Sequence, residues 1–372
     1  MPKIFDVCIR GDGVVGRTLA LLLARERLRV ALVSQAPDIP ETLNTSPTAD
    51  VRAYALNSAS RKLLESLRVW PDAPFATPVT GIEVSGDDGG HIDFTADSIA
   101  QEALAWIVDV PALEQQLAQA VRYQPQIELT SEPAKAHLTI VCEGKHSGSR
   151  DEFGVQWTVK TYPQKAIAAR LDAALPHQGV ARQWFVGGDV VALLPLGGPG
   201  GSAVALVWSA SLAQAEALAT MPADQFCAAL QAISGKETGS LQLTSERATW
   251  PLALSNADRW VGPGWALAGD AAHTVHPLSG QGLNLGLADV ACLAGVLAQR
   301  EYWRALGDER LLRRYERARK ADVAALGAVT DGLHGLFARA DDRSQILRNW
   351  GMNNFSRSSL LKRWITRQAT GL

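Results

Sequence analysis

The sequence predicts a mixed α/β fold: a parallel-sheet unit built from separated stretches, a strand-rich unit threaded between them, and a helical C-terminal region. Three observations carry this prediction. A short apolar strand, Asp6–Arg10, runs straight into Gly11-Asp12-Gly13-Val14-Val15-Gly16 and an apolar helix. A second apolar run, Trp265–Ala268, leads into Gly269-Asp270 and a turn rich in Gly and Pro, again followed by a helix. Between the two, residues 155–255 hold short apolar runs separated by turn residues, the pattern of a sheet.

Each element follows from local chemistry. After Asp6–Arg10, the three glycines serve a tight turn, close approach of backbone to a pyrophosphate, and helix packing. Gly11, Gly13, Val14, Val15 and Gly16 are therefore expected dinucleotide contacts, with the helix Arg17–Glu26 aiming its N-terminus at the phosphates. Val30–Val33 reads as the second strand and ends at Ser34. A helix is expected over Ser58–Leu67, and Pro71, Pro74 and Pro78 mark a crossing into the second unit. Alternation from Val79 to Phe94 around Gly-Asp-Asp-Gly-Gly reads as a hairpin. Pro111–Tyr123 reads as a helix with Pro in its first turn, returning the chain to the nucleotide unit until about Arg150.

Strands are expected at Trp157–Lys160, Lys165–Leu171, Ala181–Phe185, Val190–Pro195 and Ser202–Ser209. Gly197-Gly198-Pro199-Gly200-Gly201 lacks the Gly-Lys-Ser/Thr ending of a phosphate loop and reads as a hairpin turn. A helix at Asp224–Ile233 and an extended stretch to Leu254 complete the sheet unit. The helix Leu283–Leu297 follows the second glycine turn, and the chain from about residue 306 is helical. The expected boundaries are 1–70, 98–155 and 256–305 for the nucleotide unit, 71–97 and 156–255 for the sheet unit, and 306–372 for the helical region.

The segment from Gly269 to Asn284 carries the most chemistry. Asp270 stands at a strand end, where a carboxylate can grip a sugar-phosphate chain. Pro277, Gly280 and Gly282 let the backbone turn sharply and approach a flat ligand. This segment resembles the second FAD-contacting motif of the group A flavin-dependent aromatic hydroxylases, and the pattern is closest to the branch that hydroxylates ubiquinone precursors. Arg52-Ala53-Tyr54-Ala55-Leu56 with Ser60, Ala105–Asp109, Val191–Leu196 and Tyr315–Arg319 are similar to further stretches of that branch, so the resemblance covers nearly the whole chain.

The resemblance implies a Rossmann-like FAD-binding domain of the para-hydroxybenzoate hydroxylase type. It also implies an activity: hydroxylation of an aromatic ring with O2 through a flavin C4a-hydroperoxide, with NAD(P)H or another donor as reductant. In the family the Asp contacts the ribityl and pyrophosphate region, the role carried here to Asp270. Gly280, Gly282, Leu283 and Asn284 fall beside the isoalloxazine ring, with Asn284 expected at its pyrimidine edge. Pro277 lies next to the substrate, and His276 and Gln281 on the substrate or flavin side. Arg52 is expected to neutralise charge on the reduced flavin or its phosphates. Trp184 and Trp208 are expected to line an apolar pocket, and no general base is identified beyond the polar candidates Tyr54 and Tyr162. The implied substrate is a lipophilic polyprenylated phenol or quinol. Another small aromatic metabolite, and a non-catalytic flavoprotein-like subunit of a biosynthetic complex, stand as alternatives.

Three positions depart from the family pattern. Ser34 stands where an acid normally binds the adenosine ribose. Glu143 replaces the Asp of the mid-chain Asp-Gly motif, in Cys142-Glu143-Gly144 with Ser147 and Arg150 kept in place. Arg10 ends the first strand, usually an apolar position.

Composition narrows the rest. No apolar run approaches the roughly 18 residues of a membrane span. The charged N-terminus enters the nucleotide motif directly and does not read as a signal peptide. Cys8, Cys142, Cys227 and Cys292 lie in apolar contexts and read as reduced, buried thiols of a cytoplasmic protein. His273 and His276 have no third partner at metal-ligand spacing, so no metal is expected. From Arg300 onward there are 15 Lys/Arg against 8 Asp/Glu, a local +7 in a chain of net −2, which leaves −9 for the remainder. This basic region reads as a solvated helical face or as a surface for anionic lipid or an acidic partner; no motif points to nucleic acid.

From sequence alone, the loss of a charge-assisted hydrogen bond at Ser34 weakens FAD binding by about tenfold to a hundredfold. Restoring the acid with Ser34→Glu is then expected to tighten binding, measured by titrating FAD into the apoprotein.

Overall fold

A computed structural model describes residues 4–34, 50–86, 89–275 and 281–337, with side chains of the last helix as far as Ala325. The first half of the chain forms β1 (Phe5–Arg10), α1 (Val14–Arg25), β2 (Val30–Val33), β3 (Ala53–Leu56), α2 (Ser58–Ser66), β4 (Ala76–Val79), β5 (Gly81–Ser85), β6 (His91–Thr95), β7 (Ala105–Asp109), α3 (Val110–Arg122), β8 (Ile127–Thr130), β9 (Ala136–Val141) and α4 (Ser149–Glu152). The second half forms β10 (Trp157–Ala173), β11 (Val180–Val186), β12 (Asp189–Pro195), β13 (Ala203–Ser211), α5 (Leu212–Thr220), α6 (Ala223–Ser234), β14 (Leu241–Leu243), β15 (Ala248–Ala257), β16 (Val261–Gly262), β17 (Trp265–Leu267), β18 (His273–Thr274), α7 (Gly282–Ala298) and α8 (Glu309–Phe337).

Among the described residues the strands make three sheets. The six-stranded sheet has the order β16-β17-β9-β1-β2-β8, parallel except for its β16 edge. Its neighbours β1, β9 and β17 come from distant stretches of chain. Buried on both faces, they read as near-continuous apolar runs. The nine-stranded sheet runs β18-β15-β10-β13-β12-β11-β5-β6, with β14 beside β10. A small antiparallel sheet, β3-β7-β4, joins the two. β4 therefore pairs away from the large sheet, although it lies within the 71–97 stretch read from sequence as part of the sheet unit.

The two runs Trp157–Lys160 and Lys165–Leu171 are one strand, β10. Its pairing with β15 shifts register between Thr161 and Lys165. Pro163 sits in this break. Lacking an N–H, it cannot donate to the ladder, which accounts for the irregularity and for the split in the sequence pattern. α1 starts at Val14, three residues earlier than the sequence suggests, because Gly13 caps it in an extended conformation.

Strand register decides which face of the large sheet each residue joins. Trp184, Val191, Trp208 and Ile167 lie in one row across β11, β12, β13 and β10. They pack with Phe226 and Leu230 of α6 in a buried cluster. The Trp208 indole N–H donates to Asp189 Oδ2 at 2.9 Å. Trp184 and Trp208 are thus core of the outer, helix-covered face, not lining of a pocket. The opposite face carries Gln183, Ala192, Val207 and Ala168 in one row and Leu194, Ala205 and Arg170 in the next. Leu194, Ala203 and Ala205 on this face pack with Ala53, Ala55 and Ile107 of the small sheet. Arg170 Nη2 pairs with Asp109 Oδ2 at 2.6 Å, and Asp109 also caps α3 through Ala112 N–H. This inner face is therefore turned toward the Arg52 loop.

α7 and α8 close the other side. Asp289 of α7 is fully buried and gathers three partners: the Gly269 N–H at 3.0 Å, His273 Nε2 at 2.7 Å and Arg319 Nε at 2.8 Å. Trp260 stacks on the His273 ring at 4.7 Å between centroids, and the Tyr315 hydroxyl donates to the Leu267 carbonyl. Two of the four cysteines, Cys227 and Cys292, are only half-buried, against the fully buried setting read from sequence. No helix among the described residues is long and apolar enough to cross a membrane.

Removing Asp289 leaves the buried Arg319 with only the exposed Asp322, whose Oδ2 lies 2.6 Å from Nη1, and strips the Gly269 N–H and His273 of their shared acceptor. Asp289→Ala should destabilise the fold by about 3–5 kcal/mol, read as a shift in the urea midpoint at constant slope. A loss below 1 kcal/mol would show that Arg319 finds water or another partner (about 1 kcal/mol being the worth of an ordinary exposed pair).

Candidate flavin site

The first glycine turn is shaped by backbone contact. Gly11 sits at φ 105°, and a Cβ there would lie 2.5 Å from the Cys142 carbonyl oxygen. At Gly16 a Cβ would lie 1.9 Å from the Gly11 carbonyl oxygen. A side chain at either position would have to push backbone aside. Gly13 is different: the space its Cβ would occupy is open. No side chain caps α1 and its first turn carries no acid, so its N–H groups are left for an approaching anion, while the Asp12 carboxylate just before the cap is paired with Arg17.

The second motif meets the first at Val15. A Cβ on Gly286 would lie 2.8 Å from a Val15 methyl, and one on Gly269 would lie 3.3 Å away. The packing of α7 on α1 thus brings the Asp270 turn beside the Gly11–Gly16 turn. Asp270 is exposed, yet protein surrounds its carboxyl group on most sides, so it stands inside a recess. That crowding raises its pKa; His273 and Lys145 pull it back only partly. At the start of α7, Gly282 has open space at its Cβ position, and the helix again lacks a side-chain cap and a first-turn acid. Leu283 packs against the main core. His276, Pro277 and Gly280 lie outside the described residues.

Asn284 is buried, and its side chain makes all four hydrogen bonds open to an amide. Its Oδ1 accepts from Asn57 N–H at 3.0 Å and Ser60 Oγ at 2.7 Å; its Nδ2 donates to the Ala55 carbonyl at 2.8 Å and Gln281 Oε1 at 3.2 Å. It therefore clamps α7 to the Arg52–Ser60 segment, and any contact from Asn284 to a flavin must come from its backbone. Arg52 is held by both oxygens of Asp50, with Glu114 Oε1 at 3.4 Å. Burial raises the Tyr54 phenol pKa, with Arg52 opposing and Asp270 reinforcing the shift. Burial therefore disfavours the Tyr54 phenolate. Tyr162 is buried among Ala166 and Leu252.

Two of the departures form one network. Glu143 accepts from Ser147 Oγ at 2.6 Å, Ser149 Oγ at 2.7 Å and the Ser149 N–H at 3.3 Å. Arg10 donates to Ser149 Oγ at 3.0 Å and pairs with Glu152. The longer Glu143 carboxylate is turned into its own loop, and Arg10 fastens that loop to the end of β1. Arg150 completes the join by donating to the Ala271 carbonyl at 3.2 Å and stacking over Trp157 at 3.9 Å. Sequence reading singled out Glu143 and Arg10 separately; it missed Asp12 and Asn57 and the Asp289–Arg319 pair, whose members lie 30 residues apart.

Among the described residues no group of three or more His, Cys, Asp or Glu side chains could hold a metal. The residues present do suit FAD. The N-termini of α1 and α7, without side-chain caps and each with an open glycine, belong to helices packed together at Val15, with the exposed Asp270 carboxylate in the adjoining turn.

Residues 109–329 match the family described as FAD binding domain. The chain belongs to this family. It is 30% identical to the 3-demethoxyubiquinol 3-hydroxylase of Escherichia coli, over 99% of this chain and 98% of that protein. It is likewise 30% identical to the ubiquinone hydroxylase UbiL of Rhodospirillum rubrum, over 99% of this chain and 90% of that protein. The fold is similar to that of PqsL, a probable FAD-dependent monooxygenase from Pseudomonas aeruginosa (TM-score 0.77, 22% identity, 95% of this chain and 100% of that one).

The protein is thus an FAD-dependent monooxygenase. When bound, FAD supplies the oxygen chemistry: activation of O2 and delivery of one oxygen atom to an aromatic ring. The chain's own residues do the holding and screening. Gly11, Gly13 and the start of α1 would cradle the pyrophosphate, and Asp270 would accept from hydroxyls of the connecting chain. The backbone from Gly282 to Asn284 would border the flavin. The inner face of the large sheet would help to screen the site from water.

Asp270→Ala should abolish the flavin absorbance of the purified protein; full occupancy would place the cofactor elsewhere. The sign with pH follows from the acceptor role. FAD affinity should fall as pH drops through a pKa above the ordinary aspartate value of about 3.9, and Asp270→Asn should flatten that dependence in a calorimetric titration series.

Proposed function

We propose that this enzyme hydroxylates the ring of a polyprenylated phenol or quinol precursor of ubiquinone, drawing electrons from NAD(P)H or another donor. The observation that carries this reading is the full-length, 30% identity to two proteins named as hydroxylases of ubiquinone or its precursor. The inner sheet face supports it. Ala168, Val207 and Ala192 form a smooth wall without charge, suited to a ring that bears a hydrocarbon tail.

A lipid substrate also favours a peripheral association with the membrane or a biosynthetic complex. In the described part of α8 the basic residues divide: Arg317 is exposed and, among the described residues, donates only to the Arg313 carbonyl, while others are paired with carboxylates. Arg319, counted from sequence among the docking residues, is buried on Asp289. Arg313, Arg314 and Lys320 pair with Glu309, Glu301 and Glu316. The basic residues from Arg339 onward lie outside the described residues.

Deleting the gene should make lipid extracts accumulate a polyprenylated phenol one oxygen atom poorer than the next intermediate, seen by mass spectrometry. An unchanged quinone pool would assign the enzyme a different aromatic substrate.

A further inference from the structure

We infer that Asp12 supplies the adenosine-ribose contact that an acid at the end of β2 would otherwise make, and that Ser34 and Arg17 hold its carboxylate in place. The inference rests on the FAD assignment. β1 and β2 are adjacent parallel strands, so the residues that follow them sit side by side at the carboxyl ends. Dinucleotides bind across that edge in sheets of this kind. Ser34 is buried, and its Oγ donates to Asp12 Oδ2 at 2.6 Å. Arg17, in the first turns of α1, brings Nη2 to 3.2 Å from the same oxygen and is itself fixed by the Glu114 carbonyl at 3.1 Å.

Both partners lie on Oδ2. Among the described residues Oδ1 has none, and the Asp12 side chain keeps 29% of its surface open. A carboxylate oxygen so placed can accept from ribose hydroxyls by charge-assisted hydrogen bonds. A carboxylate beside the N-terminus of α1 would also repel a pyrophosphate. Arg17 offsets that repulsion by pairing with it at short range. The hydroxyl at position 34 is therefore not a bare loss of the acid: the carboxylate has moved from the strand end to the glycine turn. The proposal reverses the expectation drawn from sequence for Ser34→Glu: a glutamate at 34 would meet Asp12 carboxylate to carboxylate.

The test is FAD binding by the apoprotein, followed by quenching of flavin fluorescence, with FAD and its 2′,3′-dideoxyadenosine analogue as probes. Circular dichroism checks that each variant is folded. The wild type should prefer FAD by about tenfold to a hundredfold. Asp12→Ala and Asp12→Asn should bind FAD as weakly as the analogue and show no preference. Ser34→Glu alone should weaken FAD binding, and Asp12→Gly combined with Ser34→Glu should recover affinity and preference together. Equal wild-type affinity for the two probes, a preference kept by Asp12→Ala, or tighter FAD binding by Ser34→Glu alone would each overturn the proposal. Failure of the wild type to bind either probe would instead strike the FAD assignment.

Discussion

The Asp289 carboxylate is the contact on which the arrangement of the site depends. It lies in the middle of α7 and reaches in three directions: to the backbone at the start of the Asp270 turn, to His273 beyond it, and to Arg319 on α8. A charge with no solvent access is tolerable only when its partners satisfy it. That requirement fixes the strand-turn, α7 and α8 relative to one another. With them fixed, Gly286 and Gly269 can close on Val15, and the two glycine turns share one recess.

The large sheet works by separating its faces. Register places bulky aromatics under α5 and α6 and leaves small apolar side chains facing the flavin side. A rigid, tightly packed outer face supports an inner face that remains open. Arg170 and Asp109 hold the inner face against the small sheet without placing an unpaired charge on the apolar wall.

The departures from the family pattern are in contact with polar partners in the fold. Arg10, Ser149 and Glu143 are linked by hydrogen bonds around the Cys142–Arg150 loop, although the Arg10 Nε is left without a partner among the described residues, and Ser34 is paired with Asp12. In each case a polar group that looks misplaced in sequence has a partner supplied from another strand or turn. Polar groups near the buried ends of parallel strands need such partners, since an unsatisfied one costs about 1–3 kcal/mol.

The sequence by itself determined the elements whose signals are local. The strand, turn and helix around Gly11–Gly16 were legible because their glycines obey short-range sterics. So were the apolar run into Gly269-Asp270, the hairpin near Gly86 and the helix capped at Asp109. The placing of Asp270 at a strand end was legible because that placing is itself local. The tertiary structure alone decided what depends on partners far away in the chain. Trp184 and Trp208 could belong to either face until pairing fixed the register, because a shift of one residue exchanges the faces. Asn284 read as a cofactor ligand until the fold brought Ala55, Asn57 and Ser60 to its amide. Arg319 read as surface charge until α8 laid it on Asp289. Burial and hydrogen-bond satisfaction are properties of assembled neighbours, so no window of sequence contains them.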